Sequence, residues 1–257
     1  MIDTAGETRM TPATVPTTRT KKGEQTKAHI LETALTMFRE RGYEGTTMRA
    51  VATEAGVSLG NAYYYFESKE HLIQAFYERS HLDHLAACAD ALENEVDLRN
   101  RLRAVIRAKL STSMPYHRFS GLLFKTAADP RSPLNPFSDE STPLRRESTE
   151  LFAEVVRGSS ARIHPDLELH LPKLLWIYQM GIVLFWIHDT SPGCDRSYRL
   201  AERTVDLIVQ LIKVANFPPM RPITRLALNV LADLEDNAAL SATPDRSDQR
   251  QDSDDEE

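Results

Sequence analysis

TTMRAVATEAGVSLGNAYYYFESKEHLIQAF, residues 46–76, is the stretch whose reading decides the fold. Met48, Val51, Ala52 and Ala55 recur at helical spacing behind Thr46 and Thr47, either of which can cap a helix with its hydroxyl. Gly56 ends that helix, because the sharp turn needs a backbone angle that a side chain disfavours. Ser58 offers a second cap only two residues later, for a helix over about 59–66. Two short helices about a Gly-Val-Ser turn, with Ser68 capping a longer one, have the layout of a helix-turn-helix DNA reader.

Upstream, Ile30, Leu31, Ala34, Leu35 and Phe38 lay one apolar stripe along a helix expected over 25–41. Gly42 fits a left-handed terminator, and Arg39 and Arg41 suit the negative end of the helix dipole. The helix over 59–66 has an unusual polar face. Ala62 and Phe66 can turn inward, which leaves Leu59, Gly60 and Tyr63 on another side with Asn61 near its edge. Gly60 costs a helix roughly 1 kcal/mol relative to alanine, which points to a backbone that approaches something closely. A DNA groove suits that position. Asn61 carries the donor and acceptor needed for a base edge, and Tyr63 can reach a phosphate oxygen. Lys69, at the head of the next helix, is placed to meet the DNA backbone.

The pattern T-T-M-R-x-V-A-x-x-A-G-V-S-x-G-x-x-Y-x-Y-F-x-x-K-x-x-L resembles the tetracycline-repressor (TetR) family of bacterial regulators, over about residues 22–79. The resemblance implies an all-α homodimer, with a three-helix DNA-binding domain at the amino end and a larger helical domain for ligand binding and dimerisation. It implies that Thr47, Tyr63, Tyr65 and Lys69 touch phosphates, while Arg49, Leu59, Gly60 and Asn61 approach base edges. A helical wheel sets Tyr65 well away from Tyr63, so its phosphate role rests on the resemblance alone. Tyr64 is expected to pack. Leu59 departs from the polar reader that many relatives carry, leaving it a thymine methyl or nothing to touch. The alternative, that Tyr63, Tyr64 and Tyr65 are ordinary packing residues, loses to their setting between a glycine turn and a Ser-Lys cap.

A chain of 257 residues, 41% hydrophobic, can build two modest domains or one large one. Its net charge of -6 argues against a DNA binder only until it is divided. From Asp245 onward there are seven acidic and two basic residues, so nearly all the excess lies in the tail. Arg19, Lys21, Lys22, Lys27, Arg49 and Lys69 surround the reader instead. Cys88 and Cys194 form no close-spaced motif and read as reduced thiols. With no basic-then-apolar leader, the expected location is the bacterial cytoplasm. The longest apolar run, 174–187, falls short of the ~20 residues that span a bilayer.

The expected plan is a disordered leader over 1–20, the DNA-binding domain over 21–79 and a ligand and dimerisation domain over 80–217. An additional helix (218–240) and an acidic disordered tail (241–257) follow. Within the second domain, helices are expected over 69–94, 98–114, 119–128, 144–157 and 196–215. Pro165 is read as a break, and Pro172 as the start of an apolar helix reaching His188. The apolar helix reaching His188 and the helix over 196–215 are what the family it resembles uses for a four-helix dimer interface. By the same analogy a pocket holds a small-molecule effector, with Phe119, Leu123, Phe124, Trp176, Gln179, Met180 and Trp186 as candidate lining. Gln179 is the most telling of these, since an amide inside an apolar run needs a partner. The SPLNPFSDES loop is a candidate neighbour of that pocket, or only a rigid connection.

His81, His84 and Cys88 have spacings that could share a cation, yet no second ligand pair completes a site, and an accident of the helix surface is the favoured reading. No metal or cofactor is expected. No G-x-S-x-G elbow, phosphate loop or H-E-x-x-H motif arranges groups for catalysis. The expected function is therefore a dimeric repressor released from a palindromic operator on double-stranded DNA by a small-molecule effector. The competing readings are an activator, a helical sensor or enzyme with a vestigial DNA reader, and a scaffold that binds partners through its apolar helices.

Overall fold

Side-chain caps set where the helices begin. Thr47 Oγ1 accepts the Ala50 N–H at 3.1 Å, Ser58 Oγ the Asn61 N–H at 3.1 Å, Ser68 Oγ the His71 N–H at 3.3 Å, and Asp97 Oδ1 the Asn100 N–H at 3.1 Å. Each satisfies a backbone donor that a helix start leaves without a partner. The computed structural model describes residues 18–215. Their order is α1 (Thr18–Arg41), α2 (Met48–Glu54), α3 (Leu59–Tyr65), α4 (Lys69–Asn94), α5 (Leu98–Ser113), α6 (His117–Ala127), α7 (Thr142–Arg157), α8 (Pro165–Ile187) and α9 (Asp195–Ala215).

Two apolar cores result. Ile30, Ala34, Leu35 and Phe38 of α1 close on Val51 of α2, Ala62 of α3, and Leu72 and Ile73 of α4. The second core takes Cys88 and Leu92 from the far end of α4, with α5, α7, α8 and α9 around them. α4 thus runs through both, with no break at the expected boundary near residue 80. α5 and α9 are also held by charge: Arg103 meets Glu202 at 2.9 Å and Asp206 at 2.7 Å, and Arg107 meets Glu202 at 2.8 Å.

Arg101 is 2% exposed and donates to four carbonyls: Leu92 at 2.7 Å, Glu95 at 2.6 Å, Glu154 at 2.9 Å and Val155 at 3.0 Å. These lie at the carboxy ends of α4 and α7, where carbonyls carry partial negative charge; Glu154 also accepts the Gly158 N–H at 3.0 Å, and the other three rely on the guanidinium. One guanidinium therefore ties two helix ends together. Gly158 leaves the room for it, since a Cβ there would overlap the guanidinium.

Three expectations need correction. α1 begins at Thr18, so the last residues assigned to the leader are helical. Pro165 does not break a helix but opens α8, where its missing N–H costs nothing. Pro172 accordingly lies inside α8; Glu168, one turn back, is exposed, so water can take its freed carbonyl. At 23 residues α8 is also long and apolar enough, by length and composition, to cross a membrane. Leu171, Leu175, Ile182 and Trp186 bury one side of it in the second core. The leader up to residue 17, the expected helix over 218–240 and the acidic tail lie outside the described residues.

Candidate functional site

The reader is short because its glycines make it so. Gly42 (φ 76°) and Gly56 (φ 65°) both adopt the left-handed conformation, turning the chain sharply out of α1 and α2. Thr47 and Arg49 are exposed at the head of α2. On α3, Ala62 alone is fully buried, and Phe66 follows it inward from the cap position. Gly60 is exposed, and a Cβ there would meet nothing within 4 Å. Nothing inside the protein requires a glycine at that place. Asn61 is half-buried and uses its backbone N–H on Ser58, leaving its side-chain amide outside every described hydrogen bond. Tyr63 is 46% exposed.

Leu59 is half-buried and packs against the reader's own core. Tyr65 is also half-buried, and Lys69 lies over the Tyr43 ring at 4.2 Å while donating to the Tyr43 carbonyl at 2.9 Å. Tyr43 in turn donates its hydroxyl to Glu70 at 2.5 Å. Lys69 thus braces the turn after α1 from the head of α4. Tyr64 corrects the expectation of packing: it is 80% exposed and touches Tyr65 edge-on at 5.1 Å. Two residues past Ala62 on a helix is nearly the opposite face, and α3 is too short for a neighbour to cover it.

Behind the reader, α4, α5, α6, α7, α8 and the 129–141 loop line a partly open cavity of about 200 Å³. Leu123, Phe124, Trp176, Gln179, Met180 and Trp186 all line it. The proline-rich loop closes one side through Leu134 and Pro136, and Phe137 meets Trp176 edge-on at 5.4 Å. Phe119 is the exception. It stacks on Phe38 of α1 at 5.6 Å and meets Phe76 at 5.9 Å, so it belongs to the reader's core and is not among the lining residues. A single helix, α6, therefore gives Phe119 to the reader and Phe124 to the cavity. Arg79 adds a polar link, pairing with Glu32 of α1 and donating to the Tyr116 hydroxyl at 2.9 Å.

The polar part of the lining was missed because it is spread over several helices. His81 of α4, Lys109 of α5, and Arg145 and Ser148 of α7 all reach the cavity. One signal was available: Lys109 falls four residues after Val105 on the inward stripe of α5, where a cation has no reason to be by packing alone. Burial pulls the Lys109 ammonium down to about 8. Burial, together with the nearby Lys109 charge, lowers His81 and brings His84 down to about 4.

His81, His84 and Cys88 are not an accident of the surface: all three are buried. His84 Nε2 lies 2.9 Å from the Val105 carbonyl oxygen, and burial pushes the Cys88 thiol up to about 12. They form part of the core between α4 and α5. The expected thiols Cys88 and Cys194 are both free and buried.

A helix-turn-helix unit mounted on a larger helical domain with an internal cavity defines the class of helical transcriptional regulators. Residues 30–76 match the family described as "Bacterial regulatory proteins, tetR family", and residues 101–229 match "Tetracyclin repressor-like, C-terminal domain". The chain belongs to the TetR family. It is 32% identical over 171 residues to the HTH-type transcriptional regulator RutR of Escherichia coli K12, covering 65% of this chain and 79% of RutR. With the HTH-type transcriptional regulator TtgR of Pseudomonas putida the identity is 40% over 82 residues, 31% of this chain and 39% of TtgR, so that match spans well under half of the relative's length. The crystal structure of FadR from Bacillus subtilis in complex with stearoyl-CoA shares the fold, with a TM-score of 0.56 at 14% identity, covering 71% of this chain and 97% of FadR.

Proposed function

We propose that this chain acts as a homodimeric transcriptional repressor that grips a palindromic operator and lets go when a small molecule fills the cavity. The observation that carries this reading is the placement of α6, which gives Phe119 to the reader's core and Phe124 to the cavity wall. A ligand that prefers a different setting of α6 shifts the population toward a reader geometry that fits DNA less well.

Two features support a second copy. Two readers must meet successive major-groove faces about 34–36 Å apart, which one copy cannot do. Ile177, Leu184 and Phe185 of α8, with Leu207, Leu211 and Val214 of α9, stand 40–57% exposed, an apolar surface suited to its own copy. The action is stoichiometric rather than catalytic, and its DNA partner assigns it to the bacterial cytoplasm. On the reader, Arg49, Gly60 and Asn61 approach base edges, Leu59 stays with the core, and Thr47, Tyr63, Tyr65 and Lys69 secure or support the phosphate contacts.

Selection from a random double-stranded DNA library with purified protein tests the reading. A recovered palindrome, bound by a dimer with an affinity that falls steeply with salt, supports it. A monomer with no sequence preference at low salt ends it.

A further inference from the structure

The cavity has a one-sided charge. Among its described lining residues are two basic side chains, Lys109 and Arg145, together with His81, and no aspartate or glutamate. Arg145 is already occupied. Its guanidinium donates to the Pro136 carbonyl at 2.8 Å, the Ser138 carbonyl at 3.0 Å and the Thr142 hydroxyl at 2.7 Å, pinning the loop that closes the cavity. Lys109 is different: no hydrogen bond or ion pair of its ammonium is found among the described residues. A partly buried ammonium without a partner is costly, and a protein keeps one where something else supplies the counter-charge. A second orphan sits in the same lining: the Gln179 side-chain oxygen is buried and has no hydrogen-bond partner.

We infer that the cavity takes a compact amphipathic monoanion, a molecule with an apolar body and one carboxylate, whose charge meets Lys109. This rests on the reading of the cavity as a ligand site and names the chemistry of its ligand. The apolar body lies against Phe124, Trp176, Val183 and Ile187. A volume of about 200 Å³ is below the roughly 300–1,000 Å³ of drug-sized sites, which limits the body to a short chain or a single ring system. Among the described lining residues Lys109 is the basic group without a partner, which matches a single negative charge. Ser148 beside His81, 3.4 Å from its Nδ1, offers a hydroxyl on the same side. A protonated carboxyl or an amide of equal shape would leave the lysine as poorly matched as before.

The charge on Lys109 is itself conditional. The groups that face it are His81, His84 and Cys88 of α4; His84 titrates near 4 and the thiol near 12, so both stay neutral around neutral pH. Glu147, 3.4 Å from His81 Nε2, and Arg145 are the charged neighbours from α7. Lys109 sheds its proton near pH 8 in the unliganded protein, far below an ordinary lysine. A carboxylate ligand therefore binds best below that pH and weakens above it.

The test uses octanoate against octanamide, its neutral isostere, on the intact protein. Both tryptophans of the chain, Trp176 and Trp186, line the cavity, so intrinsic fluorescence reads occupancy directly. Octanoate is expected to bind about tenfold or more tightly than octanamide, and Lys109→Met to bring the two together by weakening octanoate alone. Lys109→Met keeps the stem length and removes a buried charge, so its thermal midpoint stays level or rises. The octanoate preference should also fade between pH 7 and pH 9. Equal binding of the two probes, no saturable binding of octanoate, or a preference that survives Lys109→Met overturns the inference. Octanoate bound through Lys109 but leaving the selected operator bound upholds the site chemistry and counts only against the ligand-release reading.

Discussion

Phe38 of α1 and Phe119 of α6 stack with ring centroids 5.6 Å apart and planes 8° from parallel. Both are almost fully buried. A close-packed pair of this kind cannot deform gradually, because interiors are packed like crystals and respond by repacking or not at all. Since α6 also walls the cavity, motion of that helix must either carry α1 along or break the stack.

Phe119→Ala should cost about 3–5 kcal/mol in urea unfolding, as large-to-small changes at such sites do. Phe119→Leu keeps much of the volume but not the stack. It should bind the selected operator about as well as the wild type while showing a blunted release by ligand. An unaltered release midpoint in Phe119→Leu would move the coupling elsewhere, to the Arg79 link between Glu32 and Tyr116.

On α3 and α2, base reading and phosphate holding should separate. Arg49→Ala and Asn61→Ala are expected to lose about 1–3 kcal/mol of discrimination at particular operator positions, whereas Tyr63→Phe weakens all sequences alike. Binding to a panel of single-position operator variants distinguishes the two patterns. A flat profile for Tyr63→Phe with unchanged discrimination in the other two would remove the base-reading roles.

Arg101 and Gly158 should behave as one unit. Arg101→Met strands the carbonyls of Leu92, Glu95 and Val155 at two helix ends, each unsatisfied group costing about 1–3 kcal/mol, while Glu154 keeps the Gly158 N–H. Gly158→Ala forces the same guanidinium out of place. The double variant is therefore expected to be far less unstable than the sum of the singles, measured as a thermodynamic cycle by denaturant unfolding. Simple additivity would mean that the glycine serves something other than the arginine.

Leu207→Glu combined with Leu211→Glu puts charge into the exposed apolar face of α9, where the side chains are 57% and 56% exposed. The monomer has no need of those positions for its own core, so it should fold and sediment as a single chain. Its affinity for a full palindrome should drop toward that for a half-site. A dimer that persists in sedimentation would place the interface elsewhere.

Asp189 sets an acid limit. Burial alone would raise its carboxyl, but hydrogen bonds from the backbone and hydroxyls of Ser191 and Ser197 outweigh it and hold the group well below the usual carboxylate range. A depressed native pKa contributes stability that is fully present above the unfolded value of about 4 and is lost as pH falls below it. Asp189→Asn should thus be less stable than wild type at neutral pH, with the gap closing between pH 4 and pH 2. A gap independent of pH would show that the charge plays no part.

Much of this molecule was legible before any coordinates. Caps and glycines act within a few residues, so Thr47, Gly56, Ser58 and Ser68 marked the reader's helices to within a residue. The apolar stripes likewise marked α1, α5 and α9. A wheel says which residues turn inward, but not what stands opposite. For that reason His81, His84 and Cys88 looked like surface and are core, Tyr64 looked packed and is exposed, and Phe119 looked like pocket and is reader core.

The amino-acid sequence by itself determined an all-helical chain with a helix-turn-helix reader, because turns, caps and periodicity are local properties of the backbone. Only the tertiary structure decided that one helix serves both the reader and the cavity, and that Lys109, without a partner among the described residues, stands in that cavity's wall. Both are statements about the space between helices that lie far apart in sequence. That space is set by how whole surfaces pack, and no single segment encodes it.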